Sequence, residues 1–287
     1  MRHINPKFAK VLCVWEVVSM LPHISSQQNM AAFGSGLVAG LFMAVVGGGG
    51  SALAVPLMMS VVGLRSARQA MGTTAVSVAL TALVSSIPPM RQGFVKWSVA
   101  LGFAAFGMGG IWLGTQIGQY LSAHWLLIGL GCLMIGQATL MATRRRLSDG
   151  VIPLSGWRIW KRLGPWGFGV GLVAGIVGMG GGFLVLPGML ATGMPMLSAV
   201  GSSLVSIGAL GMANGSLYAA KGLVDWRVVF AYVAGGGFGG ILGAPIAAKL
   251  SKHGQILPIM AAAVLGILAL YLLGSNVVAL YTRGSIF

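Results

Sequence analysis

Two glycine runs interrupt apolar segments of membrane-spanning length, and a proline follows each run a few residues later. The segments extend from Gly34 to Met58 and from Gly167 to Met189, and a shift of 131 positions aligns them without a gap. The aligned pairs are Gly36 with Gly167, Gly40 with Gly171, Gly47 with Gly178, Gly49 with Gly180, Gly50 with Gly181, and Pro56 with Pro187. Paired apolar segments broken by glycine and proline indicate a binding site built between two repeats of a membrane transporter.

The duplication continues beyond the glycine runs at a shift of 129 positions. Ala70–Ser77 aligns with Ala199–Ser206, and Gly93–Trp97 aligns with Gly222–Trp226. Three more glycines match in order, Gly107, Gly110 and Gly114 with Gly236, Gly239 and Gly243. Matching blocks in the same order predict two homologous halves. The predicted segments are an N-terminal helix at 1–29 (interfacial or an extra span), a first transmembrane repeat at 30–143, a basic loop at 144–163, a second repeat at 164–276 and a C-terminal tail at 277–287.

Composition places both halves in a membrane. The 287-residue chain is 56% hydrophobic and 7% charged, whereas a soluble domain carries about a quarter charged residues. Several runs approach the roughly 20 apolar residues that cross a bilayer: Ala70–Met90, Ser98–Leu121, Leu126–Thr143, Ala199–Ala219, Val228–Ala248 and Leu257–Ser275. The predicted fold is an all-α polytopic membrane protein, in which each half has one glycine-broken segment and three transmembrane helices.

The broken segments leave two topologies open. In the second half the arms Gly167–Val177 and Phe183–Gly193 have eleven residues each, so each arm rises only about 16 Å. Two arms in one broken span would give parallel repeats, and a re-entrant helical hairpin would give inverted repeats. The positive-inside rule favours neither, because both topologies place most of the 18 Lys and Arg residues on one side. We expect the hairpin and inverted repeats, because two glycine tips that enter from opposite faces would shelter each other's irregular backbone.

Charge predicts orientation rather than a nucleic-acid partner. The net charge is +15, but the basic residues are scattered through short loops. The densest group lies in the 144–163 loop and consists of Arg144, Arg145, Arg146, Arg158, Lys161 and Arg162. The positive-inside rule therefore predicts that this loop is cytoplasmic, in a multi-pass protein of the cell (inner) membrane. We expect the protein to contact the lipid bilayer and no nucleic acid.

The scarcity of acidic residues limits the chemistry. The three acids are Glu16, Asp149 and Asp225. None of the six apolar runs named above carries a carboxylate, which disfavours a cation as the substrate. The two cysteines, Cys13 and Cys132, imply neither a disulfide framework nor a metal site. Four scattered histidines and three acids do not form a nucleophile–base pair or a metal cluster, so we expect no enzymatic activity and no cofactor.

The combined motifs resemble the TauE/SafE family of membrane permeases. Each half contains GxxxGxxxxxxGxGGxxxxxP, then G-[TS]-[TS]-x-x-[TS], then G-x-V-x-W. The resemblance covers nearly the whole chain after the first thirty residues, and it implies a multi-pass inner-membrane transporter of sulfur oxyanions such as sulfite or organosulfonates. The first repeat departs from the second at Ala44, Ser51 and Lys96, where the second has Gly175, Gly182 and Asp225.

Such an anion needs hydrogen-bond donors and partial positive charge. A helix that begins just after a glycine run offers unpaired backbone N–H groups and the positive end of its dipole, and glycine allows the anion to approach closely. Threonine and serine hydroxyls at helical spacing would complete the shell, although such hydroxyls also bond their own backbone or join neighbouring helices. The predicted substrate-binding residues are Gly48, Gly49, Gly50, Ser51, Thr73, Thr74, Ser77, Gly180, Gly181, Gly182, Ser202, Ser203, Ser206 and Asn214.

Two functions remain open on the sequence. The first is a transporter that binds a small anion near mid-membrane, between the two broken helices, and moves it by alternating access. The second is a membrane scaffold in which the glycines serve only helix packing. Stabilisation by sulfite or sulfonates would discriminate between them. The glycine-rich outer faces also permit a homodimer.

Overall fold

The computed structural model describes residues 26–46, 50–64, 66–121, 157–178, 182–190 and 194–250, with isolated positions between 125 and 139 and between 266 and 274. The elements defined in these residues are all helices. They are α1 (Ser26–Val46), α2 (Ser51–Ser60), α3 (Ala67–Ser85), α4 (Ile87–Arg91), α5 (Trp97–Tyr120), α6 (Trp157–Val177), α7 (Gly182–Leu190), α8 (Met196–Ala219) and α9 (Trp226–Leu250).

Within the described residues, four helical stretches are long and apolar enough to cross a membrane: Gln27–Val45, Ala67–Arg91, Trp97–Gly118 and Leu197–Ala219. They agree with the prediction of an all-helical polytopic membrane protein. The N-terminal segment up to residue 25 lies outside the described residues, as do the tail and most of the predicted spans at 126–143 and 257–275.

The chain reverses direction between α1 and α2. Gln28 Nε2, near the start of α1, donates to Val62 O just after α2 at 3.1 Å. At the opposite end, a Cβ on Gly50 would lie only 2.5 Å from Met43 N in α1. The end of α2 therefore lies beside the beginning of α1. Helices α6 and α7 also adjoin, with Gly188 of α7 near Trp166 of α6.

The first arm of each broken segment is longer than its glycine pattern suggests. Helices α1 and α6 have 21 residues each, compared with the eleven residues predicted for the arm at 167–177. Helix α6 begins at Trp157, inside the predicted 144–163 loop, and α1 begins at Ser26, before the predicted repeat. Packing explains the extension of α6, because Trp160 and Leu163 lie against Gly102 of α5, with their Cη2 and Cδ2 atoms 2.8 and 3.2 Å from a Cβ built there.

Glycines bring two pairs of helices into backbone contact. In the α1–α9 pair, a Cβ on Gly40 would lie 2.7 Å from Gly236 Cα. In the α5–α6 pair, a Cβ on Gly171 would lie 2.7 Å from Gly107 Cα. These two contacts join aligned positions of the two repeats, so the same packing occurs twice. Close approach through small residues is the usual way in which helices associate in lipid.

Helices α3 and α8, which carry the aligned serine and threonine blocks, cross antiparallel at the centre of the molecule. Cβ atoms built on Gly208, Gly211 and Gly215 of α8 would lie 2.5 to 2.8 Å from side-chain atoms of residues 83, 79 and 76 of α3, respectively. The residue number rises along one helix as it falls along the other. By contrast, α9 runs parallel to α3, because Gly236 contacts Thr81 and Gly240 contacts Ser85.

Candidate functional site

The starts of the two short helices contact each other. Helix α2 begins at Ser51 and α7 begins at Gly182. A Cβ built on Gly182 would lie 2.9 Å from Ser51 Cβ and 3.2 Å from Ile207 Cγ2 of α8. Ser51 is buried, and Ser51 and Gly182 are aligned at the 131-residue shift. The predicted site residues Gly48, Gly49, Gly180 and Gly181 lie outside the described residues.

This contact brings two positive helix ends to one buried point. Each helix start carries the equivalent of roughly half a positive charge, because its first N–H groups have no partner within the helix. Gly50 precedes α2 in a buried position, where its lack of a Cβ lets it lie against α1. Two converging helix starts are an arrangement that favours negative charge.

Two of the predicted hydroxyls cap helices of the opposite half. Thr73 Oγ1 accepts a hydrogen bond from Asp225 N at 3.0 Å, just before α9. Ser202 Oγ accepts from Lys96 N at 2.9 Å, just before α5. Thr73 and Ser202 are aligned, and so are Asp225 and Lys96. The two bonds therefore repeat the same contact, and they fix where α9 and α5 begin on α3 and α8.

The next two hydroxyls on α8 also have backbone partners. Ser203 Oγ donates to Val200 O at 2.8 Å within its own helix. Ser206 Oγ lies 2.8 Å from Ala100 O of α5 and 3.3 Å from Ser202 O. Ser203 lies one turn before Ile207, which contacts Gly182, so this part of α8 borders the meeting point of α2 and α7.

The aligned hydroxyls on α3 differ. Thr74 Oγ1 and Ser77 Oγ are buried and have no hydrogen-bond partner among the described residues. Thr81 Oγ1 and Ser85 Oγ are also buried without a hydrogen-bond partner among the described residues. They lie on the same face of α3 as Thr74 and Ser77. Buried hydroxyls are normally paired, so this face is the most conspicuous polar feature of the described interior. Ser35 Oγ and Tyr232 Oη are likewise buried without a partner in the described part of the chain.

Sequence reasoning missed Thr81, Ser85, Ser35 and Tyr232. The spacing of residues 74, 77, 81 and 85 is the helical pattern that would have identified the continuous face on α3. Comparing the aligned segments of the two repeats does not reveal this face, because the position aligned with Thr81 is Leu210.

Asn214 links three helices. Its side chain is fully buried. Thr115 Oγ1 of α5 donates to Ile111 O of its own helix at 2.8 Å and also lies 3.3 Å from Asn214 Oδ1. Asn214 Nδ2 donates to Ala174 O of α6 at 3.5 Å. The amide predicted to bind substrate therefore joins α8 to α5 and α6, and Thr115 is a partner that the sequence did not identify.

The one acidic residue within the described ranges caps a helix. Asp225 Oδ1 accepts from Arg227 N at 3.2 Å and from Val228 N at 3.5 Å at the start of α9. Glu16 and Asp149 lie outside those ranges. In the part of the chain that the structure covers, no group of three His, Cys, Asp or Glu side chains is arranged to hold a metal ion.

Comparisons with known proteins give one consistent result. The family profile described as "Sulfite exporter TauE/SafE" matches residues 32–272. A "Probable membrane transporter protein" of Xylella fastidiosa strain Temecula1 is 36% identical over 236 residues, which cover 80% of this chain and 89% of that protein. "Probable membrane transporter protein YunE" of Bacillus subtilis strain 168 is 26% identical over 238 residues, covering 75% and 87%. No solved structure matches.

Proposed function

Because the chain belongs to the sulfite exporter TauE/SafE family of membrane transporters, we propose that it carries a sulfur oxyanion, sulfite or an organosulfonate, across the cell (inner) membrane. The family's printed description names sulfite. A tetrahedral or pyramidal anion with several oxygens suits a site made of converging N–H and O–H donors.

The contact between Ser51 and Gly182 is the observation that carries this proposal. Two helix starts at one buried point supply partial positive charge from two directions. The Thr74 and Ser77 hydroxyls, buried without partners among the described residues, supply donors on α3, and Ser203 borders the same region on α8. We place the anion between these groups, with the glycine runs lining it, and with Thr73, Ser202, Ser206 and Asn214 shaping the surrounding helices.

An inverted-repeat topology fits these contacts. The antiparallel crossing of α3 and α8 supports repeats that run in opposite directions through the membrane. Under that relation Ser51 and Gly182, which are aligned and in contact, lie on the symmetry axis at mid-membrane. The α1–α2 and α6–α7 pairs are then re-entrant hairpins from opposite faces, with the first turns of the 21-residue helices α1 and α6 outside the hydrocarbon. The basic 144–163 loop lies on the cytoplasmic side, where α6 begins.

The test is flux of radiolabelled sulfite in proteoliposomes that contain the full chain. Gly182→Ala places a Cβ against Ser51 Oγ and Cβ, and we expect flux to fall at least tenfold. Gly169→Ala is the matched control, because a Cβ there meets nothing within 4 Å, and it should transport normally. Wild-type flux from Gly182→Ala would contradict the placement of the site.

Binding of the anion is measured independently of transport, by thermal unfolding in the presence of sulfite, thiosulfate, sulfate, taurine or sulfoacetate. A ligand at 100 times its dissociation constant stabilises the folded protein by about 2.7 kcal/mol. The scaffold alternative is favoured by the glycine contacts of α1 with α9 and of α5 with α6, which explain many motif glycines by packing alone. A scaffold would show no selective shift with any member of this series.

A homodimer is part of the proposal. Helix α5 exposes large apolar side chains, among them Trp112 at 59%, and such a face meets either lipid or a second copy. Native mass spectrometry from detergent would show a dimer mass if a second copy covers it, and a monomer mass would remove this part of the proposal.

A further inference from the structure

Side-chain hydrogen bonds tie α5 and α6 to α8. Ser206 of α8 lies 2.8 Å from Ala100 O of α5. Farther along the same helix, Asn214 contacts Thr115 of α5 at 3.3 Å and Ala174 O of α6 at 3.5 Å. These contacts lie two turns apart on α8, so they restrain both the position and the rotation of the α5–α6 pair.

The corresponding face of α3 lacks such ties. Thr81 and Ser85 lie against Gly236 and Gly240 of α9, with a Cβ on Gly236 placed 2.6 Å from Thr81 Oγ1. Neither hydroxyl has a hydrogen-bond partner among the described residues. The sequence accounts for the difference, because the positions aligned with Asn214 and Thr115 are Ser85 and Ala244. Alanine has no hydroxyl, so the first half cannot form the equivalent of the Thr115–Asn214 bond.

Helix α9 is nevertheless held firmly to α1. Gly36, Gly40, Gly235 and Gly239 each bring the two backbones into direct contact, and backbone contact of this kind leaves little room for relative movement. Helix α1 leads into α2, whose first residue contacts Gly182 of α7. Any displacement of the α1–α9 pair therefore changes the distance between the two helix starts.

We infer that α1, α2 and α9 move as one body against the hydroxyl face of α3, while α5, α6 and α8 form a fixed body held by Asn214 and Ser206. The inference rests on the proposed transport function and assigns the moving element within it. Sliding of packed helices is a common mode of conformational change. Since Thr81 and Ser85 have no hydrogen-bond partner among the described residues, no side-chain hydrogen bond to these residues has to break when α9 slides. The Thr73–Asp225 bond at the first turn of α9 is the pivot.

A reversible disulfide tests which interface moves. A Cβ on Gly237 would lie 3.8 Å from Val84 Cβ, which is the mean Cβ–Cβ separation in disulfides. We would introduce Val84→Cys and Gly237→Cys after replacing both native cysteines with serine. Oxidation should join α3 to α9 and lower sulfite flux at least tenfold, and reduction of the same sample should restore it, which controls for misfolding.

The matched control is Ala213→Cys with Met108→Cys, the positions of α8 and α5 that are aligned with Val84 and Gly237, and mass spectrometry must show that its disulfide forms. Oxidised control protein should transport within twofold of its reduced form. Undiminished flux through the oxidised Val84–Gly237 variant would overturn the inference, and so would equal loss in both oxidised variants.

A second measurement does not depend on transport. Spin labels at Ile87, just after α3, and at Phe238 of α9, both exposed, should show a broader distance distribution in nanodiscs than labels at the aligned exposed positions, Ser216 of α8 and Gly109 of α5. Equal distributions would overturn the inference even if sulfite flux is normal. Absence of sulfite flux from the cysteine-free parent would instead count against the proposed function, and the distance comparison would still decide the movement.

Discussion

Ser206 and Ser77 occupy aligned positions, and the same substitution at each should have opposite effects on stability. Ser206 Oγ lies 2.8 Å from Ala100 O across a helix interface, whereas Ser77 Oγ is buried with no partner among the described residues. We therefore expect Ser206→Ala to destabilise the protein and Ser77→Ala to leave its stability unchanged or increase it.

The magnitude follows from the two environments. An interhelical hydrogen bond in a membrane protein contributes about 0.6 kcal/mol on average and up to about 1.7 kcal/mol, which is the expected loss for Ser206→Ala. A buried hydroxyl without a partner costs about 1–3 kcal/mol of desolvation, and Ser77→Ala removes that cost. The two variants should therefore differ by at least about 1 kcal/mol, or about fivefold in the unfolding equilibrium constant.

Reversible unfolding by guanidinium chloride in micelles of a non-ionic detergent measures both free energies. The buffer must lack sulfur oxyanions, because Ser77 belongs to the proposed anion site. Equal destabilisation by both substitutions would refute the reasoning, since it would show that Ser77 has a partner as strong as Ala100 O. A larger loss for Ser77→Ala that emerges only with sulfite present would instead support its role in binding.

Further substitutions test the packing and the caps. Gly171→Ala places a Cβ 2.7 Å from the Cα of the α5 glycine it contacts, so thermal unfolding should show a loss of about 1–3 kcal/mol. Thr73→Val removes the acceptor of the Asp225 N–H and should cost about 1 kcal/mol, whereas unchanged stability would show that this cap contributes nothing. Asn214→Ala should cost about 1–3 kcal/mol by leaving the contacts of α8 with α5 and α6 unmade, and an unchanged midpoint of unfolding would contradict its linking role.

Much of the fold was accessible from the sequence because its main constraints are local. Apolar runs of about 20 residues predict spans whatever they pack against, and the structure places helices at the predicted runs that it describes. The TauE/SafE resemblance was confirmed by the family profile and by the Xylella and Bacillus relatives. Helix limits were predicted less well: the first arms are longer than the glycine pattern implies, because Trp160 and Leu163 gain packing on α5 that no local rule anticipates.

The candidate site was predicted in part. The alignment of Ser51 with Gly182 was visible in the repeat, and their contact follows when the two short helices meet. The roles of Thr73, Ser202 and Ser206 were not visible, because each depends on a residue more than a hundred positions away. Thr73 and Ser202 cap α9 and α5, and only the packed helices bring these groups together.

The sequence by itself determined the membrane environment, the order of the repeated blocks and the positions of the glycines that the two repeats share. It determined these because hydropathy, repetition and the lack of a side chain are properties of the residues themselves. The tertiary structure decided in which repeat the hydroxyl of a shared motif finds a hydrogen-bond partner. Ser206 reaches a carbonyl of α5 while the aligned Ser77 reaches no partner in the described residues, since a hydrogen bond depends on distances of a few tenths of an ångström that packing alone sets.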